Sequence, residues 1–279
     1  MSTLTLKAPA KLNLSLRVLG KRDDGFHEID TIMVKLPGLT DRIEFQETGG
    51  FSFRCDDSSI PNDESNLIVK AVRAYEAAAD LSCNWLVTLH KSIPHGAGLG
   101  GGSSDAASTL LGLDQLHGEK LGISGLHEIA SGIGSDIPFF LTPRAARCSG
   151  RGEVIDPVPS PRSMPVLLLK PSFGVSTPDA YGRWSTSHEI PSVCYDPQEI
   201  DELSLINDLE RPVFAKHRFL AEMKQWLLAR REVRAALLCG SGSTMFAVLN
   251  EGADADELAK SARHELDPTL WHWSGNTGT

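Results

Sequence analysis

Alternating apolar and polar residues predict strands in the first half of the chain. Residues 12–18 alternate in this way, and the charged segment 21–25, which ends in glycine, is typical of a turn. Segments 29–36, 42–45 and 85–89 are predicted as further strands. These segments supply the strand part of a mixed fold.

Apolar residues at helical spacing predict the helices of the same half. They fall on one face of segment 66–79, which predicts a helix with Ser65 as its cap. An alanine- and leucine-rich helix is predicted to end at about residue 116, and another covers about 124–134. Helices and strands thus share this half of the chain.

Proline and arginine concentrate between residues 156 and 165, which predicts a boundary between domain 1–159 and domain 160–279. Beyond it we predict strand, helical material, strand, strand, helix and strand over residues 166–170, 178–230, 235–239, 244–249, 254–266 and 269–274. This β-α-β-β-α-β order is typical of ferredoxin-like split folds. The prediction is a two-domain α+β protein.

Composition narrows the class of protein. With 41% hydrophobic and 23% charged residues, the 279-residue chain has ordinary globular composition, which argues against disorder. A formal charge of -9 argues against a general nucleic-acid binder. No apolar stretch reaches the roughly 18 to 20 residues that cross a membrane, and residues 1–20 lack a signal-peptide core. We therefore expect a cytoplasmic protein with no membrane partner.

The cysteines and histidines do not predict a metal site. Five cysteines are scattered without the close spacing of a zinc or redox motif, and no histidine pair flanks an acid at helical spacing. We expect reduced thiols and assign no residue as a metal ligand.

A glycine-rich segment carries the strongest chemical signal. Five of the seven residues 96–102 are glycine, and Ser103, Ser104 and a predicted helix follow. Each glycine gives up side-chain burial and costs backbone entropy, so a flexible turn, which needs one or two, explains the run poorly. Free N–H groups at the helix start favour a bound phosphate.

Three phosphate-binding loops compete for this segment. A Walker loop fails because Gly102 stands where lysine is required. A dinucleotide fingerprint fits Gly96, Gly98 and Gly101, although segment 117–122 makes a poor second strand with no convincing ribose-binding acid, and this alternative stays open. The third is the loop of the small-molecule kinases named after galactose, homoserine, mevalonate and phosphomevalonate, the GHMP kinases.

The chain resembles this family over most of its length. Segments 9–14 and 20–29 narrow the resemblance to the member that phosphorylates the 2-hydroxyl of the methylerythritol unit in a cytidine diphosphate conjugate. Further matches, in family order, are residues 66–68, 94–104, 134–139, 207–210 and 240–244. The resemblance implies an N-terminal half like ribosomal protein S5, which binds ATP, and a ferredoxin-like C-terminal half on the substrate side.

The resemblance also implies the reacting groups. Lys11 and Asp136 match the catalytic lysine and aspartate, and Asn13 and Asp136 match residues that position substrate. We expect Asp136 to orient the hydroxyl and accept its proton late, while Lys11 stabilises the developing charge. The alternatives are a surface lysine on a strand and an acid that caps a helix.

Aromatic residues are implied at the cytosine end. Phe26 and His27 match the pair that receives the base, Tyr181 matches the opposing ring, and Thr177 lies beside it among the substrate contacts. Base stacking contributes about 1 to 3 kcal/mol, and hydrogen bonds from His27 would select the base. A core phenylalanine, a turn histidine and a packed tyrosine are the blander alternatives.

The remaining implied residues bind ATP. They are Asn66, Lys91, Pro94, His95, Gly96, Ala97, Gly98, Leu99, Gly100, Gly101, Gly102, Ser103 and Ser104. Mg²⁺ is expected from ATP chemistry, with a hydroxyl of Ser103 or Ser104 as a possible contributor. Phe26 replaces the more usual tyrosine, His95 a small or apolar residue, and Ser243 a proline.

Three other functions compete with this one. They are a different kinase or a decarboxylase of the superfamily, a non-catalytic sensor with the same fold, and an enzyme that binds a nicotinamide dinucleotide at the glycine-rich segment. Residues 25–27 and Tyr181 disfavour the first, and the presence of both Lys11 and Asp136 disfavours the second. We expect a small-molecule substrate, no nucleic-acid partner, and a monomer or weak homodimer.

Overall fold

The computed structural model describes residues 3–278, which form two sheets and their covering helices. The strands are β1 (Thr3–Lys21), β2 (His27–Glu47), β3 (Ser52–Cys55), β4 (Trp85–His90), β5 (Ala146–Gly150), β6 (Val154–Pro157), β7 (Pro165–Lys170), β8 (Gln198–Ile200), β9 (Leu203–Asn207), β10 (Val233–Leu238), β11 (Met245–Leu249) and β12 (Trp271–Asn276). The helices are α1 (Leu67–Ala79), α2 (Gly101–Leu116), α3 (Gly122–Ile133), α4 (Ile137–Leu141), α5 (Thr177–Arg183), α6 (Glu210–Lys216), α7 (Arg218–Leu228) and α8 (Ala255–Glu265).

The first sheet is built around the long antiparallel pair β1 and β2. Its strand order is β3-β4-β2-β1-β9-β8, and β5 pairs with β2 and β6. Two strands were predicted over 29–36 and 42–45, but β2 is continuous, because the register shift at Pro9/Ala10 accommodates the residues in between without breaking the pairing. Lys11 pairs with Lys35 across the two strands.

Helices α1 to α4 cover one face of this sheet. Apolar side chains from α1, α2 and α4, including Tyr75, Leu110 and Phe139, form a fully buried cluster with the strands. Helix α1 matches its prediction, but Asn66 rather than Ser65 is the cap, since the Asn66 side chain accepts a hydrogen bond from the N–H of Ile68. This packing places the start of α2 beside β1.

The second sheet has the order β10-β11-β7-β12, with antiparallel neighbours throughout. This is the predicted ferredoxin-like arrangement. One face packs against α7 and α8, and the other shares a buried cluster with the first sheet, in which Leu12, Leu168 and Phe246 meet. The alternation along β1 therefore buries Leu12 against the second sheet.

Two strands interrupt the segment predicted as helical over residues 178–230. β8 and β9 lie between α5 and α6, and β9 runs parallel to β1 with Leu16 opposite Asn207. Both strands are short, and β9 is stabilised by a partner nearly two hundred residues away, so local periodicity does not reveal them. The C-terminal half thus extends the first sheet, and the boundary at 159/160 stays a prediction.

No helix among residues 3–278 is both long and apolar enough to cross a membrane. The elements of both halves instead converge on a cleft, where the middle of β1, the loop before α2, the start of α4, the start of α5 and the turn between β10 and β11 meet.

Candidate active site

A cavity of about 750 Å³ occupies this cleft. The predicted site residues that line it are Lys11, Asn13, Phe26, His27, Asn66, Lys91, Pro94, His95, Gly96, Ala97, Gly98, Leu99, Gly100, Gly101, Gly102, Ser103, Asp136, Thr177 and Tyr181. Ser104 is fully buried behind the loop instead. Residues separated by up to 170 positions in the chain therefore face one space.

The glycine-rich loop owes its shape to alternate glycines with left-handed backbone. Gly96, Gly98 and Gly100 have φ values of 62°, 78° and 69°. A Cβ at Gly98 would collide with the carbonyl oxygen of Cys239, and one at Gly100 would lie 2.9 Å from Cγ of Lys11. Glycine is therefore required both for conformation and for close approach.

Helix α2 begins at Gly101, earlier than the predicted start after the serines. The first turn of any helix has N–H groups without helical partners, and here those of residues 101–103 lie beside the cavity, whereas the Ser104 N–H donates to the carbonyl of Gly100 at 2.9 Å. The positive end of the helix dipole points the same way. This end of the cavity can bind an anion.

Lys11 and Asp136 approach each other at the centre of the cavity. The Lys11 ammonium is buried and lies 3.6 Å from Oδ2 of Asp136, whose side chain is 34% exposed. Asp136 precedes α4, but its side chain makes no capping hydrogen bond. Lys11 is therefore not a surface lysine, and the Asp136 side chain does not cap the helix, so both alternatives from the sequence are wrong.

A buried hydrogen-bond chain orients the lysine. Nζ of Lys11 donates to Oδ1 of Asn13 at 2.5 Å, and Nδ2 of Asn13 donates to Oγ1 of Thr31 at 2.9 Å. The Thr31 hydroxyl in turn donates to the carbonyl of Ser15 at 2.5 Å. Because an ammonium can only donate hydrogen bonds, the Asn13 amide is fixed with its oxygen toward Lys11.

The aromatic residues gather at another part of the cavity wall. The rings of His27 and Tyr181 have centroids 5.3 Å apart and contact each other directly, which leaves no space for a base between them. Phe26 is 50% exposed, and the Arg151 guanidinium lies 4.8 Å from its ring centroid. The accessible aromatic face therefore belongs to Phe26.

Two of these side chains keep neutral forms near pH 7. Burial, and then the charge of Lys21, lower the pKa of His27 below its ordinary value. Burial, and then the charge of Asp136, raise the pKa of Tyr181. The imidazole and the phenol can therefore form neutral hydrogen bonds without adding charge to this wall.

The predicted ATP-side residues Asn66 and Lys91 have structural partners. Asn66 caps α1 and also donates to the carbonyl of Pro61 at 2.8 Å, so both ends of its amide are used. The Lys91 ammonium bonds to buried Asp41 and lies 2.9 Å from Oδ2 of buried Asp105. Both residues support the cavity wall, and their polar atoms are already engaged.

Several residues of the site were not predicted as such from sequence. Arg151 lines the cavity between two glycines of a charged turn, a weak signal without a neighbouring structure. Thr31 supports Asn13 across the strand pair, which requires the register to be known. Ser241 lines the cavity and hydrogen-bonds Thr177 through their hydroxyls at 2.7 Å, a contact between distant segments that no sequence pattern indicates.

The structure excludes the dinucleotide-binding alternative for the glycine-rich loop, because α2 is followed by α3 rather than by a second parallel strand.

The chain matches two family models. Residues 66–143 match the GHMP kinases N terminal domain, and residues 196–267 match the GHMP kinases C terminal model. Both matches lie within the halves that line the cleft.

Similar proteins cover nearly the whole chain. A 4-diphosphocytidyl-2-C-methyl-D-erythritol kinase from Methylacidiphilum infernorum is 37% identical over 95% of this chain and 93% of its own length. The chloroplastic kinase of the same name from Arabidopsis thaliana is 36% identical over 89% of this chain and 68% of its own length.

Solved structures agree. The crystal structure of a 4-(cytidine 5'-diphospho)-2C-methyl-D-erythritol kinase is 33% identical, with a TM-score of 0.79 over 99% of this chain and 100% of its own. Homoserine kinase from Cytophaga hutchinsonii shares the fold at 14% identity, with a TM-score of 0.71 over 100% of this chain and 95% of its own. The chain therefore belongs to the 4-diphosphocytidyl-2-C-methyl-D-erythritol kinase family of the GHMP kinases.

Proposed function

We propose that this cleft transfers the γ-phosphoryl group of ATP to the 2-hydroxyl of 4-diphosphocytidyl-2-C-methyl-D-erythritol, a step of the non-mevalonate isoprenoid pathway. Family membership makes the chain a small-molecule kinase. The observation that carries the assignment of residues is the Lys11 and Asp136 pair, 3.6 Å apart, in the same cavity as the glycine-rich loop.

The phosphates of ATP bind at the glycine-rich loop. The N–H groups of residues 101–103 and the positive end of the α2 dipole offer hydrogen bonds and charge to them. Gly100 approaches Lys11 closely enough that a Cβ there would contact the lysine side chain. The terminal phosphoryl group therefore lies within reach of the ammonium.

Phosphoryl transfer then needs positioning and charge more than covalent help from the protein. The substrate 2-hydroxyl oxygen attacks the γ-phosphorus, the bond from that phosphorus to the β-γ bridging oxygen breaks, and ADP leaves. Asp136 orients the hydroxyl and takes its proton late, as the new bond forms. Lys11, fixed by Asn13, stabilises the charge on the transferred oxygens.

The cytidine diphosphate part extends toward the aromatic wall. The exposed Phe26 face provides a stacking surface for cytosine, with His27 and Tyr181 beside it. Lys21 and Arg151 line the same cavity, and their positive charges favour the diphosphate that joins the base to the reacting alcohol. One continuous cleft thus holds both substrates.

Mg²⁺ fits the groups beneath the loop. Within residues 3–278 no three acidic, histidine or cysteine side chains form a metal cluster, but the buried Ser104 hydroxyl and Oδ1 of Asp105 lack hydrogen-bond partners. Magnesium usually takes one or two protein oxygens and keeps phosphate and water ligands, so Asp105, which lines the cavity, would hold it, with the Ser104 hydroxyl buried behind. When bound, the ion neutralises charge on the β- and γ-phosphates.

An acceptor panel tests the function. The purified protein is mixed with ATP and Mg²⁺ and with the cytidine diphosphate conjugate, mevalonate or homoserine, and the products are identified by mass. We expect ADP and a monophosphorylated product with the conjugate alone. Efficient phosphorylation of mevalonate or homoserine would favour another kinase of the superfamily, and no ATP consumption with any acceptor would favour a sensor.

Cytoplasmic location and a monomeric or weakly dimeric state remain predictions.

A further inference from the structure

Asn207 lies behind the cleft and is fully engaged by the backbone. It ends β9, is buried, and begins the Asn-Asp-Leu-Glu segment 207–210, which the proposed reaction does not use. Its Nδ2 donates to the carbonyls of Leu238 and Gly240, each at 2.7 Å, and its Oδ1 accepts from the N–H of Leu209 at 2.9 Å. These contacts use both amide hydrogens and fix the side-chain orientation.

The Gly240 carbonyl belongs to the turn at residues 239–242, and the Leu238 carbonyl ends β10 directly before it. This turn packs against the catalytic lysine and the loop. A Cβ at Gly240 would lie 3.3 Å from both Nζ of Lys11 and the carbonyl oxygen of Gly98. On the adjacent residue, Sγ of Cys239 lies 3.3 Å from the same Gly98 oxygen. A shift of this turn therefore changes the space around the Lys11 ammonium.

We propose that Asn207 is a positioning residue for phosphoryl transfer, which fastens the turn at residues 239–242 against Lys11 and the glycine-rich loop. Neighbouring contacts of the same segment hold the elements that Asn207 joins. Asp208 accepts the N–H of Val18 on β1 at 2.9 Å, and buried Glu210 accepts the N–H of Leu238 at 2.9 Å. Asn207 alone of this segment reaches the turn through its side chain, among the contacts of residues 3–278.

Gln198 provides a matched control. Its side-chain amide also bonds the backbone of β10, donating to the carbonyl of Ala236 and accepting its N–H, both at 3.0 Å. It belongs to the same β8 and β9 hairpin but touches the strand rather than the turn. Gln198→Ala therefore removes two side-chain hydrogen bonds, against three in Asn207→Ala, without releasing residues 239–242.

The test compares kcat, KM for both substrates, melting temperature and amide hydrogen exchange in Asn207→Ala, Asn207→Asp and Gln198→Ala. A 1 Å misplacement of reacting groups costs on the order of a hundredfold, so we expect kcat of Asn207→Ala to fall about that much with little change in either KM. Exchange should accelerate in residues 239–244. Asn207→Asp, which keeps the shape but turns a carboxylate toward two carbonyls, should lose at least as much turnover.

Gln198→Ala should melt at a similarly lowered temperature but retain wild-type kcat and slow exchange in the turn. Wild-type kcat in Asn207→Ala, or an equal loss in both alanine variants, would overturn the proposal. If Asn207→Ala does not fold, the same measurements are made on Asn207→Thr, which retains one hydroxyl donor. The activity readout rests on the proposed function, whose failure would appear as an inactive wild type, whereas the exchange comparison needs no substrate.

Discussion

Lys11 is a buried ammonium that stays in the cavity wall because oxygen atoms satisfy it. Asn13 accepts one of its hydrogen bonds, and the Asp136 carboxylate supplies the opposite charge. A buried charge without such partners is strongly disfavoured. The alternation of residues in β1 predicts a strand here. The proximity of Lys11 and Asp136 could be predicted only from the family resemblance, because no spacing rule relates positions so far apart in the chain.

Replacing Asp136 by asparagine tests its role as proton acceptor. Asn keeps the shape and can still contact the hydroxyl, but it cannot take the proton. We expect kcat to fall by about two to four orders of magnitude, with KM for both substrates little changed. Asp254→Asn, at the cap of α8, is the matched control and should retain wild-type turnover because asparagine also caps helices well. Near-normal turnover of Asp136→Asn would remove this residue from the chemistry.

Two glycines with the same backbone conformation separate conformational strain from close approach. Gly98 and Gly118 have φ values of 78° and 74°, but only Gly98 has atoms within 4 Å of a substituted Cβ. Gly118→Ala should lower the free energy of unfolding by about 1–2 kcal/mol, the usual cost of left-handed backbone. Gly98→Ala should lose more, together with ATP affinity. Urea unfolding and ATP titration measure both, and equal effects would contradict the close-approach explanation.

Among the elements, a buried ion cluster joins β2, the residue that follows β4, and α2 beneath the loop. Lys91 pairs with Asp41 and Asp105, and Asp41 also accepts the N–H groups of Ser92 and Ile93. Burial raises the pKa of Asp105 to about 8. These contacts fix the segment that leads from β4 into the glycine-rich loop.

Lys91→Met should destabilise the protein by about 3–5 kcal/mol, because it leaves two buried carboxyl groups without their cation. The exposed pair of Lys260 and Glu257 offers the comparison, and Lys260→Met should change the free energy of unfolding by about 0.5 kcal/mol or less. Denaturant unfolding at neutral pH measures both. A Lys91→Met variant as stable as Lys260→Met would show that the cluster contributes little.

Local pattern predicts most elements but not their partners. The helix near 66–79 and the strands of the second sheet follow from periodicity, and the ferredoxin-like order follows from their sequence. β8 and β9 could not be predicted in this way, because their stability depends on pairing with β1 and on packing rather than on their own few residues. The start of α2 also depends on tertiary contacts, since glycines are poor helix formers.

At the scale of the molecule, the two sheets share one buried cluster, and the cleft opens where their loops meet. The glycine-rich loop could be predicted from its own residues, but the other residues that face this cleft could be predicted only through the resemblance, which covers the chain from its first strand to its last sheet. Arg151 lies outside the matching motifs. Its place in the site could not be predicted, because its position over the Phe26 ring depends on contact between the β5–β6 turn and the β1–β2 turn.

Buried thiols should make the whole molecule less stable in alkali. Burial raises the pKa of Cys83 and of Cys148 to about 12 from an unfolded value of 9.0. Their contribution to stability is therefore complete below pH 9 and is lost as pH rises toward 12, because the unfolded chain releases these protons first.

The expected slope is about 1.4 kcal/mol per pH unit for each thiol. Cys83→Ala should flatten the fall in the free energy of unfolding between about pH 9.5 and 11 by about one such contribution. Urea unfolding across this range, with a reductant present, gives the two slopes. Identical slopes for wild type and variant would show that Cys83 does not titrate differently on folding.

Phosphorus NMR of the reaction of ATP with the cytidine diphosphate conjugate tests the proposed phosphoryl transfer most directly. The proposed site predicts ADP and one new phosphomonoester in equal amounts, with the new phosphoryl group attached to the oxygen on carbon 2 of the erythritol unit. Asp136→Asn should give neither product on the same timescale. ADP with free phosphate and no phosphomonoester, or a phosphoryl group on another oxygen, would contradict the proposed geometry of transfer.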